Sequence, residues 1–114
     1  MAETLTSQEA LKLWRRALLS SVRAEGPDLS ARQMALFLQV YLAPPPHTVR
    51  GLAAILRISK PAVVRALDTL GRLDFTRRKR DQSDKRNVLI QRTVNGSLFL
   101  SEFAEWVVDA SDTL

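Results

Sequence analysis

Apolar residues recur at spacings of three and four along most of this chain, a pattern that predicts helices with one buried face. The first helix is predicted to start after Thr6, whose hydroxyl can cap it while Glu9 completes a capping box. Gly26-Pro27 is predicted to end this helix. Its apolar stripe consists of Leu11, Trp14, Leu18 and Val22.

A second helical pattern follows and stops abruptly. Ser30 can cap its start. Pro44-Pro45-Pro46 predicts its end, because proline lacks the backbone N–H and clashes with the preceding helical turn. The predicted apolar face consists of Met34, Phe37, Leu38 and Tyr41. Both N-terminal helices are therefore expected within residues 1–43.

Two further helices are predicted with almost no sequence between them. Thr48 can cap the first, and Ser59 followed by Pro61 predicts the start of the second. Only Arg57-Ile58 separates them, which is typical of a helix-turn-helix. The two apolar faces consist of Val49, Leu52, Ile55 and Leu56, and of Val63, Ala66, Leu67, Leu70 and Leu73.

The stretch RDQSDKR at residues 80–86 carries five charges and no apolar side chain, so it is predicted to be an exposed turn. Residues 75–80 and 87–92 on either side have the composition of two antiparallel strands. A hairpin directly after a helix-turn-helix is a wing. Thr93 can then cap a last helix, whose apolar stripe consists of Phe99, Phe103, Trp106 and Val107.

This order of elements predicts the fold class: mainly α with a small β-hairpin, a winged helix-turn-helix flanked by N- and C-terminal helices. With 114 residues, the chain is expected to form a single domain. Within it, residues 1–43 form the N-terminal helices and residues 48–92 the helix-turn-helix plus wing. Residues 93–114 form the C-terminal helix.

Positive charge is confined to one block of the sequence. Between Arg50 and Arg92 there are twelve Lys or Arg against four Asp, a net charge of +8. The whole chain carries +5, so the remainder carries −3. Such an asymmetry is typical of a surface that binds a polyanion, most often nucleic acid.

The composition argues against several other classes. There are no cysteines, which removes disulfides, thiol nucleophiles and thiolate metal sites. His47 is the one histidine and is interpreted as an ordinary loop residue, so no metal or other cofactor is expected. No catalytic motif and no membrane-length apolar run is present. The N-terminus lacks a secretory pattern, and a cytoplasmic protein that is not an enzyme is expected.

Three motifs in order carry a resemblance to the MarR family of winged helix-turn-helix transcription regulators. LAAIL…ISKPAVVRALDTL resembles the family's helix-turn-helix, DQSDKR its D-x-x-D-[KR]-R wing motif, and TVNG the T-x-x-G that opens the next helix. The resemblance covers roughly residues 48–97. Arg57 and Asp74 depart from it, because they stand where the family usually has glycine.

The fourth helix is the predicted recognition helix. Arg65 is the best candidate for a base contact, since a guanidinium can bind guanine O6 and N7 together, although a phosphate contact is nearly as good an interpretation. Val64 suits either a thymine methyl or the core. Ser59 and Lys60 at the helix start suit phosphates. Asp68 is expected to pair with Arg65 or Arg72 rather than to touch DNA.

In the wing, Arg86 is predicted to enter a minor groove, and Asp81 or Asp84 to hold its side chain extended. The resemblance implies the same arrangement. An uninvolved charged turn is the alternative interpretation of the wing. The predicted DNA-binding residues are Ser59, Lys60, Pro61, Val64, Arg65, Arg72, Arg77, Arg78, Arg80, Lys85 and Arg86.

The two terminal stripes either pack internally or pair with a second copy of the chain. The resemblance favours a homodimer, which would present two recognition helices to a palindromic duplex. It also implies a repressor that responds to a small molecule, which no residue identifies, and the residues fit a constitutive repressor or an activator equally well. A winged helix for protein–protein contact is the main alternative, and an RNA-binding winged helix a further one. The predicted dimerisation residues are Leu11, Trp14, Leu18, Phe99, Phe103 and Trp106.

Overall fold

A computed structural model describes residues 4–114 and contains the predicted elements in the predicted order. The predicted fold class, helices with one small antiparallel hairpin, is therefore confirmed. No helix within residues 4–114 is long and apolar enough to cross a membrane. The elements are α1 Ser7–Arg23, α2 Ala31–Leu42, α3 Val49–Leu56, α4 Lys60–Arg72, β1 Thr76–Arg80, β2 Val88–Arg92 and α5 Val94–Asp112.

Each of the first four helices begins at a side-chain cap, because its first N–H groups have no partner within the helix. The Thr6 and Ser30 hydroxyls accept from N–H groups three residues on, and Glu9 and Gln33 return the bond in two capping boxes. The hydroxyls of Thr48 and Ser59 accept from the N–H of Gly51 and Ala62 in the same way. These bonds span three residues, so the sequence predicts all four starts correctly.

Left-handed residues end α3 and α4. Arg57 has φ 57° and Asp74 has φ 59°, the conformation that usually favours glycine. The turns are closed by hydrogen bonds from the N–H of Ile58 to Ala53 O at 3.2 Å and from Phe75 to Leu70 O at 2.8 Å. Both positions are those where the family pattern has glycine. Arginine at φ 57° carries a conformational cost of about 1 kcal/mol.

The end of α1 lies earlier than the sequence predicts. The helix stops at Arg23, three residues before Gly26-Pro27. Glu25 adopts φ 56° and makes the turn, while Ala24 and Glu25 donate to carbonyls of the last helical turn. Proline marks a position that a helix cannot pass, but the helix is free to stop before it.

The chain divides into two compact units. The winged-helix unit, Leu29–Leu98, buries Leu36 and Val40 of α2 completely, whereas the predicted Leu38 and Tyr41 are only half-buried. Helix α2 contacts α3, α4 and β2, so its buried face is wider than one predicted stripe. The largest side chains that are buried almost completely in this unit are Phe37, Leu36, Leu52, Leu67, Leu70, Val40 and Val63.

The hairpin pairs Thr76 with Arg92 and Arg80 with Val88. A further isolated bridge joins Thr48 to Leu89, and His47 O accepts from the N–H of Ile90 at 2.8 Å. His47, interpreted from the sequence as an ordinary loop residue, is therefore buried beside β2, and its Nε2 lies 3.2 Å from Ala43 O. This pairing was not predicted, because a two-residue extension carries no periodic pattern.

The terminal unit combines the described residues up to Asp28 with Phe99–Leu114. Phe103 is buried between Trp14, at 6.1 Å between ring centroids, and Trp106, at 5.6 Å. Phe103 is thus packed inside the chain, and its contact with a second copy stays a prediction. Two other residues of the α1 stripe are largely exposed to solvent, because 71% of Leu11 and 71% of Val22 remain accessible.

Candidate nucleic-acid interface

One face of α4 is packed and the opposite face is open. Val63, Ala66, Leu67 and Leu70 are buried, because they recur at the helical spacing that faces the core. The exposed face carries cations at both ends and in the middle, with Val64 38% exposed among them. The predicted contact residues on this open face are Lys60, Pro61, Val64, Arg65 and Arg72. Ser59 precedes them and uses its hydroxyl to cap the helix.

Asp68 pairs with a different cation from those predicted. Arg78 of β1 donates to Asp68 Oδ1 at 2.6 Å and to Val64 O at 3.3 Å. Arg72 instead donates to the Thr69 hydroxyl. The prediction of a pair with Arg65 or Arg72 was wrong, because β1 returns along α4 and brings a cation that is ten residues away in sequence. Arg78 thereby fastens the wing to α4.

At the wing tip the two acids have different roles. Asp84 accepts from Arg86 Nε at 3.1 Å and from Nη2 at 3.3 Å, and also from the Arg86 backbone N–H. Asp81 accepts from the Ser83 N–H at 2.9 Å and from its hydroxyl at 2.7 Å. Asp84 therefore contacts the wing arginine, while Asp81 shapes the turn. The Arg86 side chain remains 90% exposed.

These hydrogen bonds stabilise the charged carboxylates. The Arg86 side chain, followed by its backbone N–H, lowers the pKa of Asp84 below its usual range. The Ser83 hydroxyl and backbone N–H lower the pKa of Asp81 in the same way. Both acids are consequently ionised at neutral pH, and Arg86 faces solvent as one half of an ion pair.

The remaining wing cations are exposed, but they differ in the groups that they contact. Arg77 lies 3.8 Å from Asp74, and Arg80 donates to Lys85 O at 3.3 Å. Lys85 itself is exposed at the tip. Arg92, which belongs to the basic block of the sequence, makes contacts within the fold: it donates to Val40 O at 2.9 Å and to Ala43 O, just after α2, at 3.0 Å. It also stacks over the Tyr41 ring at 5.8 Å.

Arg50 is not among the contact residues predicted from the sequence. Arg50 lies in the first turn of α3 and lines a cleft of about 240 Å³ together with Lys60 and Arg86. The remaining lining residues are Thr48, Val49, Asn87 and Val88. The Thr48 cap is the signal that could have placed Arg50 at a helix start, although its nearness to the wing depends on the tertiary fold.

The TVNG motif ties the start of α5 to the turn after α4. Thr93 donates from its hydroxyl to Asp74 O at 2.6 Å and accepts there from the Gly96 N–H at 2.9 Å. Asn95 donates to the Asp74 carboxylate at 2.8 Å. The Tyr41 hydroxyl accepts from the Thr93 N–H and lies 2.8 Å from Phe75 O. This network holds the base of the wing in place.

A helix-turn-helix whose exposed second helix is followed by a basic wing defines the class of winged-helix proteins. The sequence profile described as "MarR family" matches residues 28–87 of this chain, which is more than half of it. The chain therefore belongs to the MarR family of transcription regulators, as its motifs predicted. No curated protein matches the chain significantly.

Solved structures of this family share the fold. MepR from S. aureus, in its DNA complex, superimposes with a TM-score of 0.74 at 21% identity, covering 94% of this chain and 82% of that chain. A mutant of E. coli MarR complexed with operator DNA gives 0.68 at 23% identity, with coverage of 88% and 66%. The transcriptional regulator Tm0710 from Thermotoga maritima gives 0.69 at 18% identity, with coverage of 93% and 69%.

Proposed function

We propose that this MarR-family protein is a homodimeric repressor that recognises a specific sequence in duplex DNA. In this proposal α4 lies in the major groove and Arg86 enters the adjacent minor groove. The protein works in the cytoplasm and catalyses no reaction. The observation that carries the proposal is the joint exposure of the basic face of α4 and of the wing tip within one unit.

Sequence discrimination is assigned to two side chains. Arg65 extends from the open face of α4 and can donate two parallel hydrogen bonds to guanine. Arg86 is 90% exposed and is held by Asp84, so its guanidinium is oriented before DNA arrives. A narrow A·T minor groove concentrates negative potential and suits such a cation.

The other predicted contacts are assigned to phosphates, which position a protein without reading sequence. Arg78 is the exception in this group, because Asp68 already neutralises it at 2.6 Å. We therefore assign Arg78 a structural role between β1 and α4. The proposed phosphate contacts are Ser59, Lys60, Arg72, Arg77, Arg80 and Lys85, with Pro61 and Val64 packing beside the bases.

The homodimer is proposed from the exposed stripe of α1. A lone chain would leave Leu11 71% and Trp14 46% exposed to water. Burial of apolar surface contributes about 25 cal/mol for each Å². Covering this stripe with a second copy would therefore stabilise the dimer substantially. A two-fold dimer would place its recognition helices about 34 Å apart, one turn of DNA. Repression and its relief by a small molecule are extended from the family.

Fluorescence anisotropy tests the proposal directly. The probe is labelled duplex DNA from upstream of the protein's own gene, compared with a scrambled duplex across a salt series. Tighter binding to the upstream duplex with a steep salt dependence is expected. Duplexes that the protein selects from a random library are further probes, so that an operator located elsewhere in the genome is also tested. No binding to any duplex at low salt would refute the proposal and favour the winged helix as a protein-binding module.

A further inference from the structure

The cleft formed by Arg50, Lys60 and Arg86 lies between three parts of the winged-helix unit. Arg50 comes from the first turn of α3, Lys60 is the first residue of α4, and Arg86 comes from the wing just before β2. Three cationic side chains therefore line a space of about 240 Å³. Like charges repel, so such a cluster is stabilised when an anion is added.

The protein itself neutralises only part of this charge. Asp84 accepts two hydrogen bonds from the Arg86 side chain, and Arg50 contributes a smaller electrostatic effect that lowers the pKa of Asp84. Within the described part of the chain, neither Arg50 nor Lys60 forms an ion pair or a side-chain hydrogen bond. The cleft thus holds more positive than negative charge.

The position of the cleft indicates which anion it meets. A major groove and the adjacent minor groove of duplex DNA are separated by one sugar–phosphate strand. If α4 occupies the first groove and the wing the second, the surface between them faces that strand. Arg50 and Lys60 lie on this surface, since they line the same cleft as Arg86.

We propose that this cleft is a phosphodiester site, in which Arg50 and Lys60 bind a phosphate of the strand between the two grooves. This inference rests on the proposed function for its geometry. It adds Arg50 to the interface and gives it a role different from that of Arg65. Arg50 contributes affinity on every duplex, whereas Arg65 distinguishes one sequence from another.

The first test compares Arg50→Gln with Arg32→Gln. Arg32 is an exposed cation of α2 that lines a different groove with Ala35 and Ile55, so its substitution removes the same charge elsewhere. Arg50→Gln is expected to weaken binding to the selected and to the scrambled duplex by the same factor. The salt dependence of log K should become shallower by about 0.9 for each bound protomer, as for one lost phosphate contact.

The second test locates the phosphate. Single methylphosphonates, which are uncharged, are placed in turn along the duplex selected by the wild-type protein. One position is expected to weaken the wild type strongly and Arg50→Gln hardly at all, because the two changes remove the same interaction. Arg32→Gln should respond to that position as the wild type does.

The outcomes separate this inference from the proposed function. Equal salt slopes and equal methylphosphonate profiles for Arg50→Gln and Arg32→Gln would overturn the phosphate site while leaving a sequence-specific regulator intact. A shallower slope on scrambled duplex in a protein that shows no sequence preference would support the site and reject specific recognition. Absence of all duplex binding by the wild type would overturn both.

Discussion

Gly96 lies against the Tyr41 hydroxyl so closely that a β-carbon at position 96 would overlap both this oxygen and the carbonyl oxygen of Phe75. The close approach lets the Tyr41 hydroxyl accept from the Thr93 N–H at 2.8 Å. The start of α5 is thereby joined to the end of α2 and to the residue before β1. Glycine in the TVNG motif is thus a packing requirement, since its φ is not positive.

Gly96→Ala is expected to destabilise the protein by about 1–3 kcal/mol, the usual cost of forcing an atom into a packed site. Adding Tyr41→Phe should restore little of this loss, because the overlap with the Phe75 backbone remains. Gly71→Ala is the matched control, since a β-carbon there meets nothing within 4 Å and alanine favours helix. Urea denaturation measures all three. Equal stability of Gly96→Ala and Gly71→Ala would contradict this account.

Arg57→Gly is expected to stabilise the fold by about 1 kcal/mol, because glycine adopts φ 57° without the steric cost that a β-carbon brings. Arg57→Ala removes the same charge but keeps the β-carbon, so it should bring no such gain. Thermal denaturation of the two variants beside the wild type is the measurement. A similar rise in the midpoint temperature of both variants would indicate that charge, rather than backbone conformation, limits stability at this turn.

Arg65→Ala and Arg86→Ala are each expected to weaken specific DNA binding by about 1–3 kcal/mol. Asp84→Asn provides a sharper test of the wing, because it adds net positive charge and yet replaces one of the two oxygens that accept from Arg86 with an NH2 donor. Binding of Asp84→Asn to scrambled duplex should hold or increase, while its preference for the specific duplex falls. Anisotropy on both duplexes measures this. An unchanged preference would show that Asp84 does not orient the arginine for recognition.

The pKa of Asp84 is expected to rise toward its usual value in Arg86→Ala, since the Arg86 side chain is the largest cause of its lowering. The pKa of Asp81, lowered by Ser83, should stay low and serves as the internal control. A lowered pKa favours the charged carboxylate in the folded wing. That contribution is present above the usual pKa of aspartate and is lost as the pH falls through the lowered value. Carboxyl NMR titration measures both groups.

Leu11→Glu is expected to convert the protein to monomers, because it places a charge in the stripe that a second copy would cover. In a lone chain the same change should be nearly neutral, since Leu11 is 71% exposed. Val94→Glu, at a valine that is 76% exposed and outside the stripe, is the matched control. Sedimentation velocity measures the mass of each. A wild type that sediments as a monomer would reject the homodimer.

Part of the candidate interface was predictable because its features are local. The open face of α4 follows from the spacing of Val63, Ala66 and Leu70, and the wing tip from a charged stretch between two strand patterns. The partner of Asp68 was not predictable, since Arg78 reaches it only after β1 folds back along α4. Arg50 was missed for the same reason, because its neighbours come from α4 and the wing.

The sequence by itself determined the order of elements, the four helix starts with caps such as Thr6 and Ser59, and the family. These features depend on contacts between residues three or four positions apart, or on short motifs. The tertiary structure alone decided which cations face solvent and which serve the fold. Arg92 is identical in charge to Arg86, yet it donates to Val40 O, 52 residues away, at the end of α2. Contacts of such separation leave no periodic trace in a sequence, because they exist only once the helices and the hairpin have packed.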